Sequence, residues 1–158
     1  MDVRLQTSRD LVRIAAELRR MNRPELQKRF RQELRAAGKP MVPRVRQAIQ
    51  QIPSKRGYSS GGLRGNMARA VKLEVRTTGR EAGVRLRVDG RKMPSGQKAL
   101  QSYMEGVKKP WRHPVFGNRE VWVKQDPKPY FFHTVEPMGL AAQRNIQRAA
   151  ERVADDLT

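Results

Sequence analysis

The chain holds two histidines, His113 and His133, and no cysteine, so thiol nucleophiles, disulfides and iron–sulfur clusters are excluded. The histidines lie twenty residues apart in proline-flanked sequence, without the close His, Cys or carboxylate company that a metal site requires. Glu105, Glu120 and Asp126 could in principle share a metal. The acids are scattered among arginines on helix faces, however, where ion pairing is the simpler use. Gly57, Gly61, Gly62 and Gly65 resemble a phosphate-cradling loop only loosely. No apolar strand precedes them and no Gly-Lys-Ser/Thr ending follows, so they read as a flexible insertion. No G-x-S-x-G, Walker or H-E-x-x-H motif occurs. Catalysis, a bound metal and a cofactor are therefore not expected.

The densest concentration of unusual residues is PWRHPVFGN, residues 110–118, in a chain that is only 6% aromatic. A catalytic loop, a base-stacking platform and a clamp at a subunit contact are the three uses such a stretch could have. Proline and aromatic groups give contact area with little entropy to lose, which is the composition of an interface anchor. Trp111, Pro114, Val115 and Phe116, with Trp122 nearby, are the candidate interface residues.

Charge is the strongest bulk signal: 34 Lys and Arg against 15 Asp and Glu, a formal net of +19. The excess is spread over residues 1–128 and stops at 129–158, which carry three arginines and four acids. The arginines sit inside amphipathic elements, so a folded surface is positive and needs an anionic neighbour, nucleic acid or an acidic protein face. The residues expected to face a DNA channel or an acidic partner are Lys55, Arg56, Lys72, Arg76, Arg85 and Arg87. With 37% hydrophobic residues the core is lean for 158 residues, as expected where self-assembly adds burial. No run is long and apolar enough for a membrane span, and the N-terminus lacks the apolar centre of a signal peptide, so an aqueous, cytosolic origin is expected.

These residues must be positioned by the following elements. Leu11, Ile14, Ala15, Leu18 and Met21 share one face of a helix over 8–21, with Ser8 as N-cap. Asn22 as a cap and Pro24 in the first turn restart the chain. One stripe then runs Leu26, Phe30, Leu34, Ala37, Met41, Val45, Ile49, Ile52, continuing in phase through Gly38, Pro40 and Pro43, which predicts a long helix kinked at 38–43. Residues 53–62 are loop and 63–70 a short helical turn. Val71, Leu73, Val75 and Val84, Leu86, Val88 alternate with polar residues, predicting an antiparallel hairpin whose outer face carries Lys72, Arg76, Arg85 and Arg87. A short helix turns Ala99, Leu100, Tyr103 and Met104 inward, and a third strand spans 119–125. A final helix of roughly 20 residues is striped by Met138, Ala142, Ile146, Ala149, Val153 and Leu157. The fold class expected is α+β: a small antiparallel sheet packed by a long kinked N-terminal helical region and a C-terminal helix. It forms a single domain over 1–158, with loops at 53–62 and 107–118.

Four stretches in order carry a family likeness: "IPSKRGYSSGGLRGNMARAV" with its Gly-Leu-Arg step, "VKLEVRTTGREAGVRLRV", "SYMEG" (102–106) and "KPYFFHTVEPMGLAAQRNIQRAAERV". Over residues 20–157 the chain resembles the tail-completion, or neck, proteins of long-tailed bacteriophages. The commoner pattern of that family has a Tyr-rich strand ending in Glu-x-Gly-Thr. Here a helical 99–104 and the longer "VKKPWRHPVFGNREVWVKQ" stand instead. The resemblance implies a non-enzymatic virion component, made in the host cytoplasm. It implies a homo-oligomeric ring, typically hexameric, between head connector and tail-tube or terminator proteins, with genomic DNA passing through it independently of sequence. The residues alone also allow a basic DNA- or RNA-binding protein, of ribosome- or nucleoid-associated type.

Overall fold

The apolar stripe of residues 26–52 folds as two helices that share one phase. The computed structural model describes residues 2–6, 9–54, 60–78, 82–108, 111–115 and 118–157, with backbone alone at 3–6, 111, 113 and 115. Helix α1 (Arg9–Arg20) buries Leu11, Ile14, Ala15 and Leu18, while Met21, just past its end, is exposed. Ser8 lies outside the described residues. Asn22 does not cap the next helix: it takes a left-handed turn (φ 49°), and Arg23 is the N-cap ahead of Pro24 at the first position of α2 (Pro24–Gly38). Lys39 and Pro40 keep right-handed helical angles before α3 (Met41–Gln50), so the phase of the stripe survives the break. Pro43 falls in the first turn of α3, where the N–H it lacks has no partner within the helix. Phe30, Leu34, Met41, Val45, Ile49 and Ile52 are all buried.

Strands β2 (Val71–Arg76) and β3 (Gly83–Val88) form the expected antiparallel hairpin. The third strand of this sheet differs from the expectation. It is β1 (Asp2–Gln6), which pairs antiparallel with β3 to give the order β1-β3-β2. Residues 119–125, expected as the third strand, fall in β5 (Asn118–Gln125) and pair instead with β4 (Trp111–Val115) as a separate hairpin. Part of the expected 107–118 loop is therefore strand. Pro114 is tolerated there because a two-stranded ribbon consists only of edges.

Helices cover one face of the three-stranded sheet. Gly38, at the end of α2, comes so close that a Cβ there would lie 2.8 Å from Val84 Cγ1 and 2.9 Å from Leu73 Cδ1. Helix α6 (Phe132–Asp155) runs antiparallel to α2, as the Arg29–Asp156 and Glu33–Arg152 ion pairs, one turn apart on each helix, require. Its stripe closes the core with Val135, Ala142, Ile146, Ala149 and Val153, and Met138 and Leu157 are half-buried. The result is the α+β class expected. Among the described residues no helix is long and apolar enough to cross a membrane.

Two short helices hold the connections. In α4 (Leu63–Ala70) the Cβ of any residue at Gly65 would meet the Ser60 carbonyl oxygen at 1.9 Å, so Gly65 is a close-packing point, and the flexible-insertion reading fails there. Arg64 Nη1 donates to the carbonyls of Gln50 (3.0 Å) and Ile52 (2.9 Å), closing the open end of α3. Gly57 lies outside the described residues. In α5 (Leu100–Glu105) the buried residues are Gln101, Met104 and Glu105, whereas Ala99 is exposed and Leu100 and Tyr103 are only half-buried. The expected inward face is therefore rotated, because Glu105 must reach the start of α6.

Candidate functional site

The β4–β5 ribbon is an arm whose main contacts are between its own two strands. Its register sets Arg112 opposite Lys124 and Pro114 opposite Trp122. Side chains alternate across a strand, so Trp122 belongs to one face and Val123 to the other, while Val121 lies in the stretch where the register shifts between Pro114 and Val115. Described side chains on both faces stand open: Val121 is 50% exposed, Trp122 47% and Val123 43%. Covering the exposed halves of these three side chains with a neighbour would contribute on the order of 3 kcal/mol. Trp122 Nε1 donates to the Arg119 carbonyl at 2.6 Å, and the Glu120 N–H donates to Asn118 Oδ1 at 2.9 Å, which fixes the turn end.

The root of the arm is tied first through Glu105. Its carboxylate, only 7% exposed, accepts from the backbone N–H of Tyr130 and Phe131 at Oε2 (2.8 Å each) and of Phe132 at Oε1 (2.9 Å). These donors are the open first turn of α6, whose own N-cap residue, Phe131, provides no side-chain acceptor. The cap arrives instead from 25 to 27 residues upstream, and its negative charge sits at the positive end of a 24-residue helix. Gly106, left-handed at φ 83°, ends α5, and a Cβ there would meet Pro127 Cβ at 3.2 Å. The Lys128 N–H donates to the Met104 carbonyl at 2.8 Å, and Lys128 Nζ to the Pro53 carbonyl at 3.0 Å. Burial, and secondarily the Glu105 charge, push the Tyr130 phenol far above its ordinary value. The arm therefore leaves the body between two segments, 104–106 and 127–132, that are bonded to each other.

The sheet's outer face is not the open basic surface expected. Arg85 pairs with Asp2, Arg87 with Glu74 (2.7 Å) and Asp89 (3.3 Å), and Lys72 with Asp89 (3.4 Å). The correction comes from β1, which brings Asp2 across the sheet, and from Asp89, buried just beyond β3. Asp89 accepts from Arg91 N (3.2 Å) and Nε (3.1 Å), and these bonds with the Arg87 charge hold its carboxyl far below the usual carboxylate range against the cost of burial. Arg76, at the end of β2, is exposed. Exposed cations without an ion-pair partner among the described residues are found on several elements; they include Lys28, Arg35 and Lys39 along one face of α2, and Arg112, Arg119 and Lys124 on the arm.

Of the interface candidates, Trp122 is exposed on the arm, Pro114 is half-buried opposite it, and Trp111 and Val115 lie in β4 with their side chains outside the described residues. Phe116, Lys55 and Arg56 lie outside the described residues altogether. Glu105 is committed to α6, away from Glu120 and Asp126, so the three do not converge. Among the described residues no group of three His, Cys, Asp or Glu is placed to hold a metal. Sequence reasoning missed Glu105, Arg64, Asp2 and Asp89. A signal existed for Glu105: a long helix opening with KPYFF has no Ser, Thr, Asp or Asn cap of its own, so an acceptor had to come from elsewhere. Comparison with models of protein families, with curated proteins and with solved structures finds no match to this chain.

Proposed function

We infer that this protein is a structural component of the neck of a long-tailed bacteriophage virion. It would form a ring that joins the head connector to the tail and surrounds the DNA channel. The observation that carries the reading is the arm: a tied, basic ribbon on which Val121, Trp122 and Val123 all stand about half exposed. A solvated protein gains nothing from such a feature, whereas a ring subunit needs it. The joining of SYMEG to KPYFF through Glu105 supports the reading further, since two of the stretches that resemble the neck family are one physical unit here. The free cations of α2 suit the backbone of passing DNA or an acidic neighbouring ring, without reading of bases.

Those same cations favour a second reading, a free-standing nucleic-acid binder. Lys28, Arg35 and Lys39 are spaced by seven and four residues, so they form a like-charged stripe along one helix face. Mass photometry and light scattering of the purified chain, at low and high salt and with or without duplex DNA, separate the two. The neck reading expects concentration-dependent association into ring-sized species, with little DNA affinity in the monomer. Trp122→Glu should abolish that association while leaving the far-UV circular dichroism unchanged. A stable monomer that binds duplex DNA tightly, with affinity falling steeply in salt, overturns the neck reading and establishes the second.

A further inference from the structure

The arm's Trp122 face has an odd composition. Its apolar pair, Trp122 over Pro114, is bordered on one side by Arg112 and Lys124, which stand directly opposite each other in the register. Like charges in directly opposed positions destabilise a ribbon, and neither side chain has an ion-pair partner among the described residues. The face therefore calls for an occupant that is apolar with an acid beside the apolar contact.

The body of the same chain presents such a surface. On the first half of α6, Phe132, Glu136 and Leu140 follow one another at four-residue steps and share one exposed stripe. Phe132 is 41% exposed and Leu140 69%, the largest exposure among the bulky apolar side chains described. Glu136 between them is exposed and has no ion-pair partner among the described residues. This helix also lies in the one part of the chain without excess positive charge: residues 129–158 carry three arginines and four acids. In a molecule of net charge +19, a segment without excess cations repels a second copy's basic arm less than the other segments do, although the stripe's next step is Arg144. Two different, mutually complementary patches on one chain generate head-to-tail contacts that close into rings, whereas a single self-complementary patch generates pairs.

We propose that the Trp122 face of the arm docks on the Phe132–Glu136–Leu140 stripe of a second copy of this chain. Trp122 packs between Phe132 and Leu140, and Arg112 and Lys124 reach Glu136. The proposal rests on the ring reading above and adds which surfaces meet.

The absence of native cysteine makes a direct test available. Glu120→Cys places a thiol beside Trp122 on the arm, and Gln143→Cys places one beside Leu140 on α6. Oxidised at high protein concentration, the double variant should give a ladder of cross-linked multimers. A mixture of the two single variants should give only a mixed dimer, and each single variant alone should remain uncross-linked. Glu136→Lys should lower the cross-linking yield about tenfold or more, and adding Lys124→Glu should restore it. Self-cross-linking of Glu120→Cys alone, with no mixed product, shows arm-to-arm pairing and overturns the proposal while leaving self-assembly intact. A disulfide formed within one chain shows that the arm folds onto its own helix and also overturns it. A wild-type chain that stays monomeric at every concentration overturns this proposal and the ring reading together.

Discussion

Replacing Glu105 tests the central claim about how the arm is anchored. Its carboxylate serves three backbone donors in a buried setting, at 2.8, 2.8 and 2.9 Å. Hydrogen bonds to a charged acceptor contribute about 1.5–3 kcal/mol each, and a buried donor left without a partner costs about 1–3 kcal/mol. In Glu105→Gln the amide oxygen can still accept, but the amide nitrogen faces a donor and the charge at the helix start is lost. A loss of roughly 2–4 kcal/mol follows. Glu105→Ala strands all three N–H groups and should cost more, roughly 3–5 kcal/mol. Glu105→Asp is a further check, because one methylene less withdraws the carboxylate from a fixed backbone.

The assay is urea denaturation followed by circular dichroism at 222 nm. Tryptophan fluorescence would mislead, since both tryptophans, Trp111 and Trp122, lie in the arm and not in α6. Hydrogen exchange supplies the local readout: the amides of Tyr130, Phe131 and Phe132 should lose protection in Glu105→Gln before the rest of α6 does. If Glu105→Gln stays within about 0.5 kcal/mol of wild type, the usual range of a surface substitution, the remote cap is not a stabilising feature and the reasoning fails.

Two further substitutions follow from the same accounting of close contacts and charges. Gly65→Ala would ordinarily stabilise a helix by about 1 kcal/mol, but here the new methyl meets the Ser60 carbonyl at 1.9 Å, so a loss of roughly 3 kcal/mol is expected in thermal or urea melts. Asp89 is depressed in the folded state, so its stabilisation is present above the ordinary aspartate value of 3.8 and drains away as pH falls below it. Asp89→Asn should cost roughly 2 kcal/mol at neutral pH and flatten the stability profile below pH 4, as read by melts across an acid series.

What was legible in the sequence was local. The stripe from Leu26 to Ile52 is a one-face periodicity, and it held through Pro40 because Lys39 and Pro40 themselves stay helical. Strands β2 and β3 show the alternation that a half-buried hairpin imposes. Strand β1 shows nothing comparable: DVRLQ has two apolar residues, and what makes it a strand is its pairing with β3, about eighty residues away. Glu105 is one acid among several until its donors, 25 to 27 residues on, are brought to it. The arm was half legible. Trp122 and the 119–125 strand could be read, but its partner strand is masked in the sequence by two prolines and a Gly-Asn turn.

Charge shows the same division, with a consequence for function. Residue counting marks Lys72, Arg85 and Arg87 as basic, and alternation puts them on the outer face of a hairpin, which is correct. What counting cannot supply is that β1 and the end of β3 bring Asp2 and Asp89 to that face, where with Glu74 they turn a basic surface into an ion-paired lattice. The lattice uses three acids of a chain that has only 15, and Glu33 and Asp156 are committed to joining α2 to α6. Positive charge on the rest of the molecule is left with few acids to meet it. Exposed cations without an ion-pair partner among the described residues lie on several elements, α1 and α3 among them, and two of the features that carry them are the outer stripe of α2 and the arm. Those features differ in kind. The α2 stripe is cationic with no apolar component, which suits a polyanion held loosely and independently of sequence. The arm adds a tryptophan and two valines to its cations, which suits a protein surface that must be gripped. A chain that merely coated nucleic acid would need the first feature and gain nothing from the second. A ring around DNA needs both, one turned inward and the other toward the next subunit.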